Sequence, residues 1–283
     1  GSETPWHNES LDAVAWFGQN TGKEGGEAKR PHAVAQKKPN AWGFHDMHGN
    51  VHEWTLDWHD DVSRRLGRVD VHPGADFDFE DDRKIFKICQ RYKVLRGGAF
   101  GSSMAQCRSA AYEICAPDWE HFDLGVRLAL VPKFGKRPET GAYDVDLKKR
   151  FLQTAPNRRW QRNGVKKPGD LAALEIVNKN LKKDGSAILA MRWCPGTFTM
   201  GSSPDEDGRG NDEIQRQVTL TQGFWMMNFE VSELLWRVVT GEADETKKLE
   251  HWKPKRRATY YDALRFVETL KVRSINSGSS RAI

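Results

Sequence analysis

The 283-residue sequence predicts an irregular α+β fold, with short strands and turns first and amphipathic helices last. Three observations carry this reading. Beside 25 glycines there are 11 tryptophans, which cluster in loop-rich stretches such as His52-Glu53-Trp54-Thr55-Leu56-Asp57-Trp58, where long regular helices are scarce. Apolar residues alternate over 124–130 and 217–221, the period of a half-buried strand. Near the end they recur at three and four residues instead, the period of a helix with one buried stripe.

In chain order, residues 1–133 form the first segment, rich in Gly, Pro, Asn and aromatics and closing on a strand over 124–130. Residues 134–170 carry Pro138, Pro156, Pro168 and many charges, the composition of an exposed connection. Asp170 then reads as the N-cap of a helix carrying Leu171, Leu174, Val177 and Leu181. Its Lys179, Lys182 and Lys183 lie near the negative C-terminal end, and Gly185 terminates it. Residues 134–185 are therefore read as a basic linker with a helix, and 186–283 as the last segment. There, strands are expected over 188–193, 197–200 and 217–221. A helix follows on Val231, Leu234, Leu235, Val238 and Val239 and stops at Gly241. A final helix lies on Ala263, Phe266, Val267 and Leu270, with Thr259 and Asp262 as a capping box. The end, 276–280, reads as frayed.

Composition excludes several classes. With 38% hydrophobic and 29% charged residues the chain can bury a core, so wholesale disorder is not expected. The longest apolar runs are far short of the roughly 18–20 residues that cross a bilayer, and no signal segment opens the chain, so a soluble protein is expected and its compartment stays open. The net charge of +5 is concentrated in residues 134–185, with 13 Lys or Arg against 6 Asp or Glu. Only Trp160 accompanies the densest basic run there, so a solvated linker is expected and nucleic-acid binding is not. Four cysteines with no CxxC spacing announce neither a disulfide framework nor a structural zinc.

Two sets of motifs stand out. The first is Pro39-Asn40-Ala41-Trp42-Gly43-Phe44 with Gly49-Asn50-Val51-His52-Glu53-Trp54, Leu95-Arg96-Gly97-Gly98-Ala99-Phe100, Cys107-Arg108-Ser109-Ala110 and Leu124-Gly125-Val126-Arg127-Leu128. It closely resembles the second half of the formylglycine-generating enzyme or sulfatase-modifying factor family. The second is Pro195-Gly196-Thr197-Phe198-Thr199-Met200-Gly201, Val218-Thr219-Leu220, Phe224-Trp225-Met226, Glu230-Val231-Ser232 and Tyr261-Asp262-Ala263. It looks like the first half of the same family. The order is reversed relative to the family, and the family's intervening LPTEAEWEYA-like helix is missing. Either the chain crosses two tandem copies or it is a circular permutant; tandem copies are favoured for the gene, with the halves packing together in this chain. The resemblance implies the family's irregular fold, related to C-type lectins.

Candidate sites follow, each beside a plainer reading. Asp46 and Glu53 flank a Gly-Asn turn, where two carboxylates and intervening carbonyls can surround a hard cation. The resemblance implies a calcium site with the side chains of Asp46 and Glu53 and the carbonyls of Gly49 and Val51; the alternative is carboxylates that only cap backbone amides. His45, His48, His52 and His59 share helical spacing, but the Gly-Asn step breaks a helix, so packing histidines are expected. The family's enzymes oxidise a sulfatase cysteine to formylglycine with copper(I) held by two cysteines. Here Ser102 falls where the first is expected, and Cys107 and Cys115 are a wider pair, read as buried inert thiols unless they bind copper. Arg96, Arg108 and Arg127 either line a cleft or brace buried carboxylates. The stretch holding Trp119, Glu120, His121 and Asp123 lies in the loop that shapes the family's substrate groove. With Ser102, Arg108 and Arg127 it makes a candidate binding groove for a peptide, protein or glycan, or for a sulfatase in the enzymatic reading.

Overall fold

A computed structural model describes residues 10–22, 29–59, 92–130, 171–177, 186–211, 213–242 and 251–276. The connection 134–170, the Asp170 cap, the Lys179 to Gly185 helix end, Cys89 and the tail beyond 276 lie outside the described residues. Among the described residues, no helix is long and apolar enough to cross a membrane.

The first segment opens with one turn of helix, α1 (Leu11–Val14), and builds a four-stranded sheet from β1 (His52–Trp58), β2 (Lys93–Arg96), β3 (Glu113–Cys115) and β4 (Leu124–Gly125), in the order β3-β2-β1-β4. β1 pairs antiparallel with β2, Trp54 facing Leu95, and parallel with β4, Glu53 facing Gly125. The single strand expected over 124–130 is in fact two. After β4 the chain leaves this sheet and rejoins the other as β5 (Ala129–Leu130), antiparallel to β8 (Arg216–Met227). The step between the two sheets places Arg127 at the seam.

The second sheet runs β5-β8-β7-β6, with β7 at Ser186–Met200 and β6 at Leu171–Val177. The helix expected from Leu171 onward is therefore a strand, paired residue by residue from Leu171–Arg192 to Val177–Ser186. The run Leu-Ala-Ala-Leu-Glu-Ile-Val suits a helix locally, but the ladder with β7 outweighs a propensity of a few tenths of a kcal/mol per residue.

The two helices were legible. In α2 (Glu233–Thr240), the Ser232 hydroxyl accepts from Leu235 N at 3.2 Å, and Gly241 ends the helix at φ 84°, donating to Arg237 O. At the start of α3 (Tyr260–Asn276), Thr259 N donates to Asp262 Oδ2 and Asp262 N to Thr259 Oγ1, so the capping box forms with Asp in the acidic position.

The two segments share one core. Trp54, Leu95, Leu124 and Val126 pack in the same cluster as Leu189, Trp193, Trp225, Leu235, Val239 and Phe266. Trp236 stacks on Phe266 with ring centroids 4.7 Å apart, closing α2 against α3. Hydrogen bonds sew the seam: Trp54 Nε1 donates to Ala258 O, Met227 N to Leu128 O, and Val231 N to Val126 O. A smaller cluster of Leu11, Val14, Ala15, Phe17 and Cys107 belongs to the first segment alone.

Candidate functional site

The turn after Phe44 is built from left-handed backbone: Asp46, Gly49 and Asn50 have φ of 54°, 75° and 61°. Gly49 is obligatory, because a Cβ there would collide with the carbonyl of Trp16. This turn carries Asp46 into the seam, where β1 delivers Glu53 and the β4–β5 step delivers Arg127. Arg127 donates to Glu53 Oε1 at 2.8 Å and to the carbonyls of His45, Asp46 and Met227. Glu230, from the second segment, is fully buried, and among the described residues neither of its carboxyl oxygens accepts a hydrogen bond. Burial first, then Asp46 and Glu53, raise the Glu230 carboxyl well above its ordinary range. Burial also raises Asp46 and Glu53, partly offset for Asp46 by the amide of Ala35 and for Glu53 by the charge of Arg127.

Of the two carboxylates in the expected calcium set, Glu53 accepts from Arg127 Nε at 2.8 Å and Asp46 Oδ2 accepts from Ala35 N at 2.6 Å, so each has one oxygen engaged within the chain. Among the described residues, no group of three or more His, Cys, Asp or Glu side chains is arranged to hold a metal ion.

The two thiols pack in different clusters. Cys107 belongs to the small first-segment cluster and Cys115 to the shared one. Burial pushes Cys107 up to about 12 and Cys115 up to about 11, opposite to the lowered value of a reactive thiol. Ser102 is buried, its hydroxyl accepting from Ala99 N in the turn after Arg-Gly-Gly.

Arg108 and Arg127, expected as groove residues, are both buried and brace carboxylates instead. Arg108 donates to Glu206 at 2.6 Å, to both oxygens of Glu213 at 2.8 Å and to Gly208 O, docking the β7–β8 connection onto the first segment. Burial alone would raise Glu213, yet the hydrogen bonds from Arg108 hold it at about 2. Arg96 donates to the carbonyls of Ala110 and Ala111. The histidines are likewise structural: His48 Nδ1 meets Cys107 O at 2.7 Å, and His45 Nδ1 meets Lys37 O.

What remains exposed of the expected groove is the loop 116–123. Trp119 is 58% and Phe122 46% exposed. Their rings form a continuous row: Trp119 to His121 at 6.2 Å, His121 to Phe122 at 4.1 Å, and Phe122 to the buried Phe100 at 5.8 Å. Carboxylates flank it. Asp123 Oδ1 pairs with His121 Nδ1, and Glu120 lies 4.0 Å from exposed Arg257. The loop is clamped at both ends, by Tyr260 N donating to Pro117 O at the start of α3 and by His52 N donating to Asp123 O on β1. Sequence reasoning found Trp119, Glu120, His121 and Asp123 but missed Phe122, whose signal was a bulky aromatic between polar residues in a loop.

With this geometry in hand, comparison with known proteins gives one family. Residues 1–131 match the family model for the sulfatase-modifying factor enzyme 1-like domain, which supports the resemblance to the formylglycine-generating enzyme and sulfatase-modifying factor family. Among solved structures, Treponema denticola variable protein 1 is similar at 29% identity, over 44% of this chain and 40% of that one, with a TM-score of 0.30. The chain thus spans less than half of that relative. No curated protein matches.

Proposed function

We propose that this chain is a binding module of the sulfatase-modifying-factor type, not an oxidase, and that loop 116–123 is its recognition surface. In this reading the two motif sets make one lectin-related domain with its halves in reversed chain order, and the shared core of Trp54, Trp193, Trp225 and Phe266 supports that. The observation that carries the function is the aromatic row from Phe100 to Trp119, exposed at one end on a loop fixed at both ends. A rigid loop loses little entropy on binding, and Trp in particular supplies large contact area with few rotors. Asp118, Glu120 and Asp123 beside the rings favour a peptide or protein ligand with apolar and cationic groups, since a cation gains from both carboxylate and ring face. Cys107 and Cys115, in separate clusters with raised pKa values, support no copper chemistry, and calcium is assigned no role.

The test is selection of a displayed random peptide library on the full chain, with Trp119→Ala/Phe122→Ala as counter-target. Peptides enriched on the wild type and lost on the double variant are expected. Enrichment that survives on the variant, or a copper(I) equivalent that shields Cys107 and Cys115 together from thiol labelling, contradicts the reading.

A further inference from the structure

Away from the loop, three buried side-chain nitrogens have no hydrogen-bond partner among the described residues: Trp16 Nε1, His32 Nε2 and Asn50 Nδ2. They belong to one junction. The Trp16 and His32 rings stack with centroids 3.7 Å apart and planes 12° from parallel. Asn50 N donates to Trp16 O at 2.7 Å, and His32 N donates to Asn50 Oδ1 at 3.0 Å. Asn50 is fully buried, and with Oδ1 engaged its amide keeps Nδ2 unused at the junction. A buried donor without an acceptor costs roughly 1–3 kcal/mol, and three together are a demand for acceptor oxygens.

The surrounding charge is positive. Lys37 Nζ lies 4.1 Å from the Trp16 ring centroid. Burial first, then Arg30, Lys37 and Lys253, lower the His32 imidazole, so two stretches of the first segment and the loop before α3 all bring cations to it. Such a setting repels a metal ion and attracts an anion.

We propose that the Trp16–His32–Asn50 junction binds a small inorganic oxyanion, phosphate or sulfate. Trp16 Nε1, His32 Nε2 and Asn50 Nδ2 donate to its oxygens, and Arg30, Lys37 and Lys253 supply the positive potential. A bound anion also favours the imidazolium of His32, so affinity rises as pH falls through the His32 titration.

The test is the indole N–H signal of Trp16 in the full chain, assigned with Trp16→Phe and followed during titration with sodium phosphate and sodium sulfate against sodium chloride at equal ionic strength. A saturable downfield shift with phosphate and sulfate, absent with chloride, is expected. Lys37→Ala, which removes a partly exposed charge, weakens it about tenfold. Asn50→Asp tolerates the left-handed backbone and keeps the acceptor for His32 N, but removes the donor and abolishes the shift. Sulfate, whose charge is constant, reads the pH dependence. No saturable shift, an equal shift with chloride, or a shift indifferent to Lys37→Ala shows that water alone fills the junction and overturns the proposal. Because Trp119 and Phe122 are not involved, this result is independent of the peptide selection.

Discussion

The seam between the two segments and the loop 116–123 place their residues in opposite ways. At the seam, Asp46, Arg127 and Glu230 are buried beside the half-buried Glu53, whereas in the loop Trp119 and Phe122 put large apolar rings into solvent. Buried ionic groups are costly unless paired, and they hold a specific arrangement because removing one partner is more costly still. Exposed rings on a clamped loop contribute little to folding and are available to a ligand. The comparison teaches that Arg108, Arg127 and Glu53 hold the two segments together through paired charge, and that the rings of the 116–123 loop are left exposed.

The sharpest way to break this contrast is to remove one side of the seam. Residues 1–133 expressed alone keep the small cluster around Leu11 and Phe17 but lose Trp193, Trp225 and Phe266 from the shared core. No cooperative thermal transition is expected by calorimetry, and mixing with residues 171–283 is expected to restore one. Next, Arg127→Met in the full chain leaves Glu53 uncompensated and lowers stability by about 3–5 kcal/mol in urea unfolding.

Two carboxylates sharpen the contrast through pH. Glu213 is depressed in the folded state, so its stabilisation is full above the unfolded carboxylate value and is lost as pH falls toward about 2. Glu213→Gln removes that acid-side slope. Glu230 is raised, so its contribution is full below the unfolded value and is lost as pH rises toward its folded value. Glu230→Gln is expected to flatten the decline and to be the more stable protein at neutral pH. In the loop, Trp119→Ala changes stability by no more than about 0.5 kcal/mol, as expected of an exposed side chain. The smallest effect is that of calcium, since adding it or removing it with a chelator leaves Tm unchanged.

Local signals made α2 and α3 readable in advance. Ser232, Gly241, Thr259 and Asp262 act within a turn of where they sit, and the apolar spacing of Leu235, Val239, Ala263 and Phe266 names the buried face directly. β6 is a strand although Leu171 to Val177 satisfies a helix locally, because its pairing with Ser186 to Arg192 is not a local signal. The split of 124–130 into β4 and β5 depends on two different sheets, which no local period reveals. For the site, Trp119, Glu120 and Asp123 could be placed in an exposed loop from sequence. A carboxylate brace was open for Arg108 and Arg127 beside a cleft role, but its partners were not legible, because Glu213 and Glu230 come from about a hundred residues away and approach them only through the fold. Cys107 and Cys115 are eight residues apart in sequence yet pack in different clusters, a separation made by β3 and the turn before it.

The measurement closest to the central claim is the enrichment ratio of displayed peptides on the wild-type chain against Trp119→Ala/Phe122→Ala, both verified as folded. The account predicts a family of apolar, cationic peptides retained by the wild type alone. Equal retention by both proteins would place recognition elsewhere on the molecule and contradict it.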